Sequence, residues 1–169
     1  MEAQTTEGQD NLAELAGKYL TFILGDEGYG LEILKVQEII GMQEITKIPR
    51  TPDYVKGVIN LRGKVIPIID LRSKFAMPEQ ELTRKTCIIV VQVERAGNSL
   101  IIGIIVDEVS EVLNIAGDQI EAAPTLGSRV DTHFILGMAK TDSAVKILLD
   151  IDKVLSAEEM DALGNAGQS

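Results

Sequence analysis

The side chains that perform most enzyme chemistry are scarce in this chain. It has one cysteine, Cys87, and one histidine, His133. A zinc site made of cysteine and histidine alone needs several such ligands, and a nucleophilic triad needs a serine or cysteine beside the histidine and an orienting acid. No serine lies in a nucleophile-elbow pattern. We therefore predict that His133 is not catalytic and that Cys87 is a small hydrophobic core residue.

The carboxylates are numerous but not arranged for acid–base work. Asp107, Glu108 and Glu111 lie close enough in sequence for a metal or general-base cluster, but a solvated strand edge explains them more simply. Asp70 and Asp150 both follow apolar strands, which favours a capping role. The stretch GDEGYG lacks the Lys-Ser/Thr and the helix of a phosphate loop. The sequence predicts no enzyme activity, no cofactor and no metal.

Arg62 is the residue that most invites a function. It lies between two apolar runs in GVINLRGKVIPIIDL, residues 57–71, of a chain with net charge −10. Its guanidinium offers five donors in a fixed fork and stays charged, so at a hairpin tip it can meet a partner's carboxylate. An internal ion pair with Glu38 is the simpler alternative, and both can hold together.

Apolar residues near Arg62 in sequence suggest what it accompanies. Val36, Ile39 and Val58 can line a groove between two lobes, and an amphipathic helix fits such a groove with a charged anchor at its rim.

The charge is unevenly spread. Residues 1–17 carry four acidic and no basic residues and read as a disordered acidic tail. Basic residues cluster in the middle of the chain, as a solvated rim of strand ends or as a face for an acidic partner. They are Lys56, Arg62, Lys64, Arg72, Lys74, Arg84 and Lys85. The pI of about 4.6 argues against a nucleic-acid partner.

The remaining composition indicates a β-rich globular domain. Of the 169 residues, 45% are hydrophobic and 4% aromatic, with no Trp, so the core is aliphatic and rich in Ile and Val. Short apolar runs separated by turns predict hairpins at residues 19–34, 57–71 and 85–107 and a last strand at 144–151. Pro67 indicates an edge strand or a bulge. The run 32–40 is ambiguous between helix and strand.

A short helix is expected at the C-terminal end. Ser156 and Glu159 have the spacing of a capping box, and Met160 and Leu163 give the helix an apolar side. We expect order to end at Gly164, leaving residues 164–169 disordered.

Two stretches of the chain resemble each other. Residues 30–75 align with 103–155, pairing Gly30 with Gly103 and Asp70 with Asp150. Further pairs in the alignment are Val36 with Val109, Glu38 with Glu111, Gly57 with Gly137, and Val65 with Val145. A duplicated unit of about five short strands predicts two small β-barrels packed together.

The stretches TPDYVKGVINLRGKVIPIIDLR, ILKVQEI and VDEVSEVL resemble the CheW family of bacterial chemotaxis coupling proteins. The resemblance covers residues 18–163. It implies a non-catalytic adaptor with two SH3-like five-stranded barrels around a shared hydrophobic core. Its partners are the cytoplasmic tips of chemoreceptors and the regulatory domain of the histidine kinase CheA, which contacts one barrel end of each lobe.

Receptor binding in the family uses the groove between the barrels. The matching positions here are Val36, Glu38, Ile39, Gly57 and Arg62, with Ile88 added by alignment rather than by motif. Neither a signal peptide nor a membrane span is predicted, so the expected location is the cytoplasm, with recruitment to receptor arrays.

Two other functions are compatible with the sequence. A small β-barrel that binds single-stranded nucleic acid would use the basic run, but such sites need aromatic stacking platforms, and the run holds only Phe75. A regulatory module cut from a larger kinase fits less well with the acidic tail and the C-terminal helix.

Overall fold

A computed structural model of the chain describes residues 14–95, 97–123, 133–142 and 144–167. These residues form mainly β-strands, as predicted. The strands are β1 Gly17–Leu24, β2 Glu27–Glu32, β3 Val36–Gly41, β4 Val55–Leu61, β5 Lys64–Asp70, β6 Cys87–Arg95, β7 Asn98–Val106, β8 Glu108–Ile115, β9 Ile120–Glu121, β10 Ile135–Lys140 and β11 Val145–Leu149. The helices are α1 Leu71–Lys74, α2 Ile151–Val154 and α3 Ala157–Gly167, with 3₁₀ turns at Ile33–Lys35 and Gly117–Gln119.

The strands form two sheets, which define two lobes. The six-stranded lobe has the order β8-β1-β2-β11-β10-β9, and the five-stranded lobe has the order β3-β6-β7-β5-β4. The short β9 makes the first lobe one strand larger than expected. The fold class, mostly β with two packed lobes and a short C-terminal helix, is confirmed.

The two lobes are not the two copies of the repeat. Strand β3 follows β2 in the chain but pairs with β6 of the other lobe, and β8 follows β7 but pairs with β1. Each lobe therefore takes one hairpin from one half of the chain and its remaining strands from the other half.

The duplication itself is visible in the strand pairing. Gly30 pairs with Leu148 in the parallel contact of β2 and β11, and Gly103 pairs with Ile68 in the parallel contact of β7 and β5. The sequence alignment makes these two pairs equivalent. The absence of a side chain at both glycines serves the same purpose, because a β-carbon would lie 2.9 Å from Leu148 at Gly30 and 2.7 Å from Ile68 at Gly103.

The core has one shared cluster between the lobes and a smaller one inside each lobe. The alternation of a β-strand explains this division, because successive side chains point to opposite faces. On β1, Phe22 enters the shared cluster while Tyr19 enters the core of the six-stranded lobe. On β6, Ile89 enters the shared cluster while Ile88 enters the core of the five-stranded lobe.

Several local expectations can be compared with the structure. The ambiguous run divides into the 3₁₀ turn Ile33–Lys35 and strand β3. Strand β5 is internal in the sheet order, but Pro67 pairs only with Val58 of β4, so its other side is unpaired, like that of an edge residue. Proline is tolerated there because β7 pairs with Ile68–Asp70, just beyond it.

The two ends of the folded region differ from the predicted boundaries. The capping box is present, with Ser156 N donating to Glu159 Oε1 at 2.7 Å and Glu159 N donating to Ser156 Oγ at 3.1 Å. Helix α3 runs on to Gly167, so the helix does not end at Gly164. At the other end Leu15 already packs against the core, ahead of residue 18. Residues 1–13 and 168–169 of the predicted tails lie outside the described residues.

Candidate partner-binding site

The turn between β4 and β5 holds Arg62 in an uncommon backbone conformation. Leu61 pairs with Lys64, so Arg62 and Gly63 form a two-residue hairpin loop. Their φ angles are 51° and 89°, as in a type I′ turn. The side chain of Asn60 supports the turn by accepting a hydrogen bond of 2.8 Å from Gly63 N. Glycine and asparagine suit the Arg62 position better, because a larger L-residue is strained at positive φ.

Arg62 pairs with Glu38 across the two ends of the five-stranded sheet. Arg62 Nη2 donates a hydrogen bond to Glu38 Oε1, and the two side chains are 72% and 28% exposed. Glu38 lies on β3 and Arg62 at the tip of the β4–β5 hairpin, so the first and last strands of the sheet order meet. The sheet is therefore curled like a barrel, and the sequence-based alternative of an internal Arg62–Glu38 pair is present.

The apolar residues predicted beside Arg62 lie in different environments. Val36 is half-buried against the shared core cluster, whereas Ile39 is 45% exposed. Val58 lines a shallow cavity of about 440 Å³ with Gln43 and Glu44 of the β3–β4 connection. Of the three, Ile39 presents the most apolar surface to a partner.

Two of the predicted site residues, Ile88 and Gly57, are buried. Ile88, predicted as a groove residue, is fully buried in the core of the five-stranded lobe, so its side chain is not on the surface of the free chain. Gly57 is buried beneath Thr46, with φ of 140°. Both residues lie in the buried part of the five-stranded lobe.

The predicted basic face is largely neutralised within the molecule. Lysine and arginine residues of the cluster meet carboxylates from elsewhere in the chain. These ion pairs are Lys56–Asp70, Arg62–Glu38, Arg72–Asp107, Lys74–Glu159 and Lys85–Glu108. A general basic surface for an acidic partner is therefore not what these residues form.

The carboxylates serve structure, as the capping interpretation predicted. Asp70 caps α1 by accepting from Arg72 N at 3.0 Å, and Asp150 caps α2 by accepting from Asp152 N at 3.1 Å. Asp107 is held by Arg72. No group of three or more His, Cys, Asp or Glu with metal-binding geometry occurs among the described residues.

Cys87 and His133 both lie beside hydrophobic side chains. Burial raises the pKa of the Cys87 thiol, and a backbone hydrogen bond with Val109 lowers it by a smaller amount. A raised pKa disfavours the thiolate, and Cys87 packs beside the shared core. His133 stands edge-on to the ring of Phe134.

The aromatic residues argue against the nucleic-acid alternative. All six Phe and Tyr side chains are buried or half-buried. Four rings form one continuous stack, in the order Phe22, Tyr29, Phe75 and Phe134. The distances between successive ring centroids are 5.6, 6.2 and 5.1 Å. These rings join the lobes instead of offering faces for bases to stack on.

The duplication relates the predicted Ile39 to three exposed residues that sequence reasoning missed, Val65, Val112 and Val145. Ile39 and Val65 are 45% and 47% exposed in the five-stranded lobe. Their counterparts in the repeat alignment, Val112 and Val145, are 49% and 50% exposed in the six-stranded lobe. Both lobes therefore keep apolar side chains in solvent at the same two positions. The alignment held this signal, but exposure is not readable from β-branched residues alone.

The two exchanged lobes, the paired charges of Glu38 and Arg62 and the exposed apolar positions define a two-lobed all-β protein equipped for contacts with other proteins. The chain belongs to the CheW-like domain family, whose family model matches residues 18–159.

Known proteins resemble the chain over nearly its whole length. Chemotaxis protein CheW of Klebsiella aerogenes is 41% identical over 167 residues, covering 96% of this chain and 98% of that protein. Chemotaxis protein CheW of Bacillus subtilis is 34% identical over 142 residues, covering 83% and 88%. The crystal structure of the scaffolding protein TtCheW from Thermoanaerobacter tengcongensis has a TM-score of 0.75 and 37% identity, covering 86% of this chain and 96% of that one.

Proposed function

We propose that this chain is a non-catalytic chemotaxis adaptor that couples the cytoplasmic tips of chemoreceptors to the histidine kinase CheA. The observation that carries the proposal, beside family membership, is the position of Arg62. A strained, exposed turn holds an arginine where glycine or asparagine is easier to accommodate. Such strain at the surface is better explained by a contact with a partner than by the fold.

The receptor is assigned to the surface formed by Glu38, Ile39 and Arg62. The hydrogen bond to Glu38 uses Nη2 of the guanidinium, so other donors remain for a carboxylate on a receptor helix. Ile39 supplies exposed apolar area on the same strand as Glu38. An amphipathic helix with an acidic residue beside its apolar stripe fits this combination.

The kinase regulatory domain is assigned to the exposed apolar positions of the six-stranded lobe, Val112 and Val145. They repeat the positions of Ile39 and Val65 but lack an equivalent of Arg62, because the aligned hairpin tip reads KTDSA, residues 140–144. The difference in charge lets the two lobes select different partners.

Co-sedimentation with receptor tips and kinase tests the proposal. The unmodified chain is expected to bind both and to bring the kinase into the receptor pellet. Arg62→Glu is expected to lose the receptor and keep the kinase, whereas Val112→Ser is expected to show the opposite pattern. Failure of the unmodified chain to bind either partner contradicts the adaptor function.

The adaptor acts from the cytoplasm, at the membrane-associated receptor array. No helix in the described part of the chain is long and apolar enough to cross a membrane. In this proposal the receptor contact recruits the chain, and fluorescence of a tagged chain is expected to leave the array in the Arg62→Glu variant.

A further inference from the structure

The chain crosses between the lobes twice, from β2 to β3 and from β7 to β8. One aspartate holds each crossing. Asp152, on α2, accepts a hydrogen bond from Lys35 Nζ at 2.7 Å and another from Glu94 N at 2.8 Å. Lys35 ends the turn that leads into β3, and Glu94 lies on β6, the strand that pairs with β3. Asp152 therefore ties the β3–β6 pair of one lobe to the last strand and helix of the other. We call this contact the Asp152 clamp.

The second crossing has an equivalent ion pair with the charges reversed. Here the connection carries the aspartate and the helix carries the basic residue. Asp107 lies between β7 and β8 and accepts from Gly25 N at 2.7 Å and from Arg72 Nε and Nη2, each at 2.9 Å. Arg72 stands two residues after the capping Asp70, just as Asp152 stands two residues after Asp150. We call this contact the Asp107 clamp.

The two clamps differ in strength. Arg72 grips Asp107 with two nitrogens of its planar fork and is 12% exposed, whereas Lys35 makes one contact through a flexible stem and is 26% exposed. The Asp152 clamp therefore has the weaker side-chain pair of the two, which makes it the expected yielding point.

We propose that Asp152 is a positioning residue for the surface formed by Glu38, Ile39 and Arg62. It holds Lys35, and Val36 after it, so that β3 keeps one angle to the six-stranded lobe. A loosened clamp lets the lobes pivot about Arg72 and Asp107 and spreads β3 over several orientations. The partner in this statement, a receptor helix, rests on the proposed function, whereas the lobe orientation does not.

The distance between the lobes tests the clamp directly. Spin labels at Lys64→Cys in one lobe and Asn114→Cys in the other, in a Cys87→Ser background, report that distance. Lys35→Met removes the charge and keeps the stem. The matched control is Lys140→Met, because Lys140 pairs with Glu121 at 2.8 Å within one lobe.

Lys35→Met and Asp152→Asn are expected to broaden the distance distribution and to weaken binding of a receptor-tip fragment about two- to fivefold. Lys140→Met is expected to change neither. Lys35→Met and Asp152→Asn both break the same contact. The double variant is therefore expected to bind the receptor fragment no more weakly than the single variant that binds it less tightly.

A distribution in Lys35→Met as narrow as in Lys140→Met overturns the proposal. An equal broadening in Arg72→Lys overturns the assignment of the yielding point. A broadened distribution supports the clamp even where receptor fragments fail to bind the unmodified chain, since that failure counts against the proposed function alone.

Discussion

Gly57 lies so close to Thr46 that a β-carbon at position 57 would stand 2.0 Å from the Thr46 carbonyl oxygen. Thr46 and Val58 exchange two backbone hydrogen bonds of 2.9 Å, which hold the β3–β4 connection against β4. The glycine of the GVINLRG stretch is therefore needed for the close approach of two backbones.

Gly57→Ala is expected to lower the free energy of unfolding by about 2–3 kcal/mol, because it adds both a backbone clash and strain at positive φ. Gly41→Ala is the matched control, since nothing lies within 4 Å of a β-carbon there. Urea unfolding of both variants measures the difference. Equal stabilities for the two would contradict this account of Gly57.

Arg62→Asn separates binding from stability at the hairpin tip. Asparagine accepts the positive φ of position 62, so the melting temperature is expected to stay or to rise by about 2–4 °C. Binding of a receptor-tip fragment is expected to be lost with the guanidinium. Lys64→Asn, an exposed change on the same tip, is the control and is expected to bind normally. Normal receptor binding by Arg62→Asn would remove the functional reason for an arginine at this turn.

Ile88→Ala and Ile39→Ala are expected to act in opposite ways. Ile88 is fully buried, and its truncation is expected to lower the free energy of unfolding by about 2–5 kcal/mol. Ile39 is 45% exposed, so its truncation is expected to weaken partner binding and to change stability by less than about 0.5 kcal/mol. Chemical unfolding and a binding titration on each variant check this. An Ile88→Ala protein with weaker partner binding and unchanged stability would support Ile88 as a direct contact.

Glu159 makes part of the stability depend on pH. Burial raises the pKa of this carboxyl, but hydrogen bonds from Lys74, from Ser156 N and from Tyr54 outweigh burial and lower the pKa from 4.5 to about 2. A carboxyl with a lower pKa in the folded state stabilises the fold above its unfolded-state pKa. That contribution is lost as the pH falls toward the folded-state value.

The unmodified chain is therefore expected to exceed Glu159→Gln in stability by about 1–2 kcal/mol near neutral pH, after allowance for solvent screening. The difference is expected to shrink as the pH falls from 4.5 toward 2. Thermal unfolding at a series of pH values measures it. A difference for Glu159→Gln that stays constant across this pH range would contradict the assignment.

The sequence predicted the features that depend on residues close together in the chain. The hairpins, the caps at Asp70 and Asp150 and the Ser156–Glu159 capping box follow from local spacing and hydrogen-bonding chemistry. The pairing of Glu38 with Arg62 was foreseen as an alternative because both charges lie among apolar residues.

The strand exchange and the burial of Ile88 were beyond sequence reasoning. Either assignment of hairpins to lobes satisfies the same alternation of apolar and polar residues, so contacts distant in the chain decide between them. Strand β6 is apolar on both faces, and its pattern does not show whether both faces are buried or one is left free for a partner. Leu-Arg-Gly also lacks the Asn-Gly signature of a type I′ turn, so the strain at Arg62 was not visible.

Because the lobes exchange strands, the two halves of this single chain are arranged like the two protomers of a domain-swapped dimer. A cut between β5 and β6 leaves two fragments, and each holds part of both lobes and the whole of neither. A single lobe therefore cannot be isolated by truncation, and the two halves can build the fold only by complementing each other. The length of chain that joins the halves sets their effective concentration, and the fold survives as one cooperative unit or not at all.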